Sequence, residues 1–183
     1  MKNTIIVNLF GGPGISKSTT AAGVFSLLKL HGIDCELVTE FAKDLVWEER
    51  NKTIRNQIYI FGKQNHKLYR VNEIVDVVIT DSPLLLGLIY NKEENTELKN
   101  LIKKTFDSYN NKNFLLRRIK KYNPNGRLQT EEQAKELDSK IRIMLGANTK
   151  YTTIDGDFTA INRIVGDILN LFSIIQKYFI ESF

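Results

Sequence analysis

Apolar residues fall along this chain in two alternating textures. Short runs dense in β-branched and aliphatic side chains alternate with longer stretches in which apolar positions return every three or four residues. The first run, Thr4 to Phe10 (TIIVNLF), predicts a buried strand. Ser18 to His31 carries Val24, Phe25, Leu27 and Leu28 at helical spacing, and Gly32 stands where a helix would be capped. Cys35 to Thr39 (CELVT) predicts a second strand, followed by helices over 41–50 and 53–73 with Ile58, Phe61 and Leu68 as core candidates. Val75 to Thr80 (VDVVIT) predicts a third strand, closed by Asp81-Ser82-Pro83. Helices are expected over Pro83 to Tyr90 and Glu97 to Tyr109, and a fourth strand over Phe114 to Ile119. Asn123-Pro124-Asn125-Gly126 reads as a turn. Thr130 with Gln133 three residues on is a capping-box pattern that opens another helix. A fifth strand over Tyr151 to Ile154 and an amphipathic helix from Asp157 onward complete the series.

Strands that alternate with helices pair in parallel, because each crossover needs a helix to return the chain. The expected fold is therefore α/β: one domain over residues 1–183, with a five-stranded, mostly parallel sheet and helices on both faces. Ligands in such folds sit beyond the carboxyl ends of the strands. The glycine stretch after the first strand, Glu40 after the second, Asp81 after the third and a basic segment after the fourth all fall there.

Composition narrows the class further. A chain of 183 residues, 42% hydrophobic and 26% charged, is the size of one globular domain. No apolar run reaches the ~18 residues that suggest a membrane span. The apolar N-terminal run leads into glycines rather than a small-residue cleavage site. These features lead to the expectation of a cytoplasmic protein without membrane attachment, and the single cysteine, Cys35, agrees, because it allows no internal disulfide. The net charge is +5, and its placement matters more than its size. Lys112, Arg117, Arg118, Lys120, Lys121 and Arg127 lie within one stretch that contains no acid. Such a cluster seeks an anion, either nucleotide phosphates or a nucleic acid.

The glycine stretch is Gly11-Gly12-Pro13-Gly14-Ile15-Ser16-Lys17-Ser18-Thr19. A strand, a glycine-rich loop and a helix opening with Lys-Ser-Thr form a phosphate-binding loop. Gly12, Pro13, Gly14, Ile15, Ser16, Lys17, Ser18 and Thr19 are expected to cradle the phosphates, with every backbone N–H of the stretch (Pro13 has none) turned toward phosphate oxygens and the helix N-terminus aiding. This makes ATP the expected cofactor, with Lys17 reaching its β- and γ-phosphates and Ser18 placing a hydroxyl on Mg²⁺. Ser16 departs from the pattern, which has glycine before the lysine; a serine with positive φ at that point is strained.

Other candidates carry alternatives. Asp81 can hold Mg²⁺ or cap the helix before Pro83. Glu40 can accept a proton from an acceptor hydroxyl, hydrogen-bond an acceptor sugar, or serve as a first-turn helix glutamate. Arg117, Arg118 and Arg127, with Lys120 and Lys121, form either a lid (about 117–129) over the transferring phosphoryl group or a solvated basic loop. Gln57, Gln64 and Arg70 share a predicted helix that can face the acceptor, although ordinary surface positions are the plainer reading of all three. Trp47 and Phe41 can stack on a base, although core packing is the plainer role for each. His31 and His66 are isolated and show no metal-ligand spacing.

Gly11-Gly12-Pro13-Gly14 with Lys17-Ser18-Thr19 resembles the loop of nucleoside and nucleotide kinases, adenylate kinase included. The TE-aromatic-A stretch at Thr39–Ala42, the TDSP at Thr80–Pro83 and the RR…NPxGRxQ segment from Arg117 to Gln129 together resemble small P-loop kinase-like proteins common in phage genomes and often labelled AAA-family ATPases. Glu40-Phe41-Ala42-Lys43-Asp44 is also similar to ribosylnicotinamide kinase domains. The resemblance implies a core of five parallel strands and transfer of the ATP γ-phosphate to a nucleoside- or nucleotide-like acceptor. A ring-forming mechanical ATPase is not expected, because the chain shows no convincing second acidic motif and no extra helical domain. Two other readings stand beside the kinase: one acting on a modified base or end in DNA, and a nucleotide-sensing module without an acceptor. Acceptor identity and oligomeric state are left open.

Overall fold

The computed structural model describes residues 1–91, 95–119, 121–123, 129–146 and 149–181. Five strands, β1 (Ile5–Phe10), β2 (Cys35–Val38), β3 (Val77–Thr80), β4 (Asn110–Arg117) and β5 (Thr152–Asp155), form one sheet in the order β2-β3-β1-β4-β5. Every pairing is parallel. Helices fill the intervals: α1 (Lys17–Leu30), α2 (Phe41–Trp47), α3 (Asn51–Arg55), α4 (Gln57–Tyr69), α5 (Leu86–Tyr90), α6 (Thr96–Asp107), α7 (Glu131–Gly146) and α8 (Thr159–Glu181).

The strands read as unbroken apolar runs because both faces of the sheet are covered. In β1, Ile5, Val7 and Leu9 point to one side with Val24 and Leu28 of α1 and Ile164 and Ile168 of α8. Ile6 and Phe10 point to the other, with Leu68 of α4, Ile102 and Phe106 of α6 and Ile141 of α7. The same alternation runs through β3 and β4, as the two-residue period of a strand requires. Each fully buried aliphatic side chain stabilises the fold by about 1.5–3 kcal/mol relative to exposure.

The chain leaves β1 through α1 toward β2 at one edge, and leaves β3 through α5 and α6 toward β4 on the far side of β1. The neighbours β1 and β3 are thus exited in opposite directions, which opens a crevice above their carboxyl ends.

Several boundaries differ from the sequence expectation. The stretch 41–73 forms three helices rather than two. Glu49 takes a positive φ of 55° after α2, and the Asn56 side chain caps α4 by accepting from Tyr59 N–H. Ile58 is 62% exposed and not core, because the inward face of α4 carries Phe61, Gln64 and Leu68. Strand β4 starts at Asn110 rather than Phe114. Its polar opening is held by a buried amide cluster in which Asn8 Nδ2 donates to Asn111 Oδ1 at 2.8 Å and Asn113 Oδ1 at 3.0 Å. Helix α5 begins at Leu86, after a turn over the region that includes Pro83. The end of α1 follows expectation: Gly32 has φ 76°, and Gly32 and Ile33 N–H return to the Lys29 and Leu28 carbonyls. The turn expected at 123–126 lies, past Asn123, outside the described residues.

Candidate active site

The phosphate loop leaves β1 at Gly11 and enters α1 at Lys17. Gly14 (φ 77°) and Ser16 (φ 79°) are both left-handed. Glycine meets that demand freely, whereas an L-residue in this region is strained by about 1–2 kcal/mol. Ser16 is the N-cap of α1 yet makes no side-chain cap bond, and the first turn holds no acid. The first N–H groups of the helix are therefore offered to an anion rather than to a side chain. Lys17 Nζ lies over its own loop, donating to the Gly11 carbonyl at 2.6 Å and the Gly12 carbonyl at 3.0 Å. Ile15 is buried in the core and can serve a ligand only through its backbone, while Ser18 and Thr19 are exposed.

Asp81 ends β3 and is buried. It does not cap a helix at Pro83. Instead its Oδ1 accepts the backbone N–H of Glu40 at 2.9 Å, tying the end of β3 to the start of α2. Glu40 stands at the N-cap of α2 without using its side chain there. Phe41 N–H is taken by Gln64 Oε1 at 2.9 Å from α4. The glutamate side chain is thus left to the crevice, where it lies near Lys17. Burial pushes the carboxyls of Glu40 and Asp81 above their ordinary range, with Lys17 opposing the shift in both. Burial pushes the Lys17 ammonium down, opposed by the charges of Glu40, Asp81 and Asp138.

These groups share one cavity of about 270 Å³. Pro13, Gly14, Lys17, Ser18, Glu40 and Asp81 line its phosphate end. Trp47, Ile54, Ile60, Phe61, Leu84 and Tyr90 supply a largely apolar far end, with Gln57 and Gln64 as amides. Trp47 is 67% exposed, so core packing is not its role. Phe41 is half-buried and packs edge-on against Tyr59. Arg70 is not part of the cavity lining. Ser18, Asp81 and Glu40 together offer hard oxygen donors suited to Mg²⁺, which is held by one or two carboxylates plus substrate phosphates. Among the described residues no group of three or more His, Cys, Asp or Glu forms a self-sufficient metal cage.

The basic segment divides. Arg117 is exposed and forms a two-point pair with Asp155, Nε to Oδ1 at 2.7 Å and Nη2 to Oδ2 at 2.9 Å, beside β5. Arg118 turns inward: Nε donates to Asp138 Oδ2 at 2.7 Å and Nη2 to the Pro13 carbonyl at 2.8 Å. The Tyr122 ring covers Gly14, where an added Cβ would lie 3.0 Å from ring carbon Cδ2. Lys121 is exposed. Lys120 and Arg127 lie outside the described residues. Asp138, on α7, carries no signature in the sequence; its Oδ1 also accepts Gly12 N–H at 2.7 Å. Gly12 therefore spends its N–H on a side chain of its own fold. The structure gathers Gly14, Lys17, Ser18, Glu40, Asp81 and Arg118 around the loop and leaves Arg117 aside. Among the described residues, no helix is long and apolar enough to cross a membrane.

A family model described as an AAA domain matches residues 6–160. Among curated proteins none matches the chain. Among solved structures, a deoxyadenosine kinase from M. mycoides, with products dCMP and a flexible dCDP bound, aligns at 16% identity and a TM-score of 0.56, covering 90% of this chain and 99% of that one. The same kinase with bound dATP aligns at 18% identity and a TM-score of 0.53, covering 89% and 98%. The Mycobacterium tuberculosis APS kinase, in complex with AMPPNP and APS, aligns at 12% identity and a TM-score of 0.51, covering 94% and 99%. At these identities the likeness is one of fold.

Proposed function

The chain belongs to the AAA-domain family, and on that premise we propose that it is an ATP-dependent phosphotransferase that moves the γ-phosphate of ATP to a nucleoside- or nucleotide-like acceptor. One observation carries the reading: the phosphate loop with Lys17 and the carboxylates of Glu40 and Asp81 line the same cavity, whose other end is aromatic and apolar. An acceptor with a flat ring and hydroxyl groups suits that second compartment. The solved kinases of this fold act on deoxyadenosine and on APS, which agrees with an acceptor of nucleoside character.

In this mechanism the loop amides, Gly14 through Thr19, and Lys17 bind the triphosphate. Ser18 and Asp81 would hold Mg²⁺, which neutralises phosphate charge when bound. Glu40 receives the proton of the acceptor hydroxyl as its oxygen bonds to the γ-phosphorus. The bond from that phosphorus to the β–γ bridging oxygen breaks, and ADP leaves. A carboxyl whose pKa is raised by burial is a better base than an exposed one. Arg118 beside the loop stabilises charge on the transferring group, and Arg127 is assigned the same role from the sequence. Arg117, paired with Asp155 at the surface, is the weaker candidate for that role. A cytoplasmic setting fits a chain whose one thiol, Cys35, is buried and unbridged, its pKa pushed up to about 11.

The strained Ser16 favours a second reading, a nucleotide-binding module in which the loop holds ATP without transferring phosphate. Transfer by the wild-type chain separates the two, since a binding module moves no phosphate, and Glu40→Gln then tests the base. The kinase reading expects ATP affinity within about threefold of wild type and transfer lowered by about 10²–10⁴-fold, the usual worth of a general base. Unchanged transfer in Glu40→Gln would remove Glu40 from the mechanism.

A further inference from the structure

Helix α7 meets the phosphate loop through a carboxylate. Asp138 Oδ1 accepts Gly12 N–H at 2.7 Å, and Oδ2 accepts Arg118 Nε at 2.7 Å. The contact is close: a Cβ on Gly12 would collide with Asp138 Oδ1 and fall 2.8 Å from the Ala134 carbonyl. Arg118 is gripped a second time, through Nη2 on the Pro13 carbonyl at 2.8 Å, and the Tyr122 ring lies against it with its centroid 5.9 Å from Cζ. The third guanidinium nitrogen, Nη1, is buried and has no hydrogen-bond partner in the described structure. It lies 3.5 Å from where a Cβ on Gly14 would stand. A buried donor without an acceptor is costly, and one set against a phosphate loop is matched to a phosphate oxygen.

We propose that Asp138 is a positioning residue that clamps Arg118 on the phosphate loop, presenting Nη1 as a preset donor to a nucleotide phosphate beside Gly14. The inference rests on the ATP-binding half of the proposed function and is independent of any acceptor. A carboxylate on Nε and a carbonyl on Nη2 fix the guanidinium plane, so the arginine is ordered before the nucleotide arrives and little entropy is lost on binding. A plain structural tie between α7 and the loop would need only the Gly12 hydrogen bond. The second carboxylate oxygen, spent on Arg118, is what the proposal explains.

The test is a double-mutant cycle read in the affinity for ATP with Mg²⁺, by calorimetry, on the full chain. Asp138→Asn keeps an oxygen for Gly12 N–H but sets an amide or no charge against Arg118 Nε. Asp138→Asn and Arg118→Ala are each expected to weaken ATP binding about tenfold, the worth of a charge-assisted hydrogen bond. If Asp138 acts through Arg118, the double variant binds ATP as Arg118→Ala does, within about threefold. A double variant weakened by the product of the two effects, or Asp138→Asn binding like wild type, would overturn the proposal. Should Asp138→Asn fail to fold, Arg118→Lys asks the same question, because lysine keeps the charge but cannot be gripped at two points. It is expected to bind ATP as weakly as Arg118→Ala, and wild-type affinity there would also overturn the proposal. Absence of phosphate transfer to every acceptor would count against the kinase reading and leave this cycle intact.

Discussion

Glu40 sits where function and stability oppose each other. Its carboxyl is held above the ordinary 4.5 by burial, even with Lys17 nearby. Between the unfolded and folded pKa values the folded form carries the extra proton, so stability falls as pH rises through that window. The penalty is absent below the unfolded value and grows as pH rises toward the folded one. Glu40→Gln is therefore expected to raise the melting temperature at pH 7, where the buried charge is most costly. At pH 4 the gain should vanish, and equal melting temperatures at pH 7 would contradict the argument. Ser16 makes a parallel case. Ser16→Gly relieves the left-handed strain but loosens the unfolded chain, so urea unfolding should show a gain of up to about 1 kcal/mol. Tighter ATP binding should accompany it if the serine side chain crowds the phosphates. The loop residues were legible because their chemistry is contiguous in sequence. Asp138 was not, since its partner Gly12 is 126 positions away and a lone aspartate on an amphipathic helix looks like any solvent-facing acid.

Elements were legible where periodicity and end signals agreed. The capping box opening α7 is reciprocal: Thr130 N–H donates to Gln133 Oε1 at 2.9 Å, and Gln133 N–H to Thr130 Oγ1 at 3.3 Å. Thr130→Ala should cost about 1 kcal/mol of stability, measurable by urea unfolding. Because α7 carries Asp138, fraying of its first turn should weaken ATP binding less than Asp138→Asn does. Strand β4 was misplaced because its first residues, Asn110-Asn111-Lys112-Asn113, carry no apolar signal and owe their place to Asn8 across the sheet. The helix pair expected over 41–73 became three because a cap at Asn56 and a left-handed Glu49 are local events inside one continuous apolar rhythm.

At the scale of the molecule, alternating strands and helices gave the parallel sheet, and the sheet gave the crevice. What the sequence did not disclose was the two-part character of the cavity, which draws on α2, α3, α4 and α5 at once. Nor did it show that the basic segment splits, with Arg117 tied to Asp155 and Arg118 turned onto the loop. The most direct measurement is transfer of label from γ-labelled ATP with Mg²⁺ to a panel of nucleosides, nucleoside monophosphates, nicotinamide riboside and DNA, with Lys17→Ala alongside. The account predicts label on a small nucleoside-like acceptor and its loss in Lys17→Ala. ATP bound with no label on any acceptor, or transfer undiminished in Lys17→Ala, would contradict it.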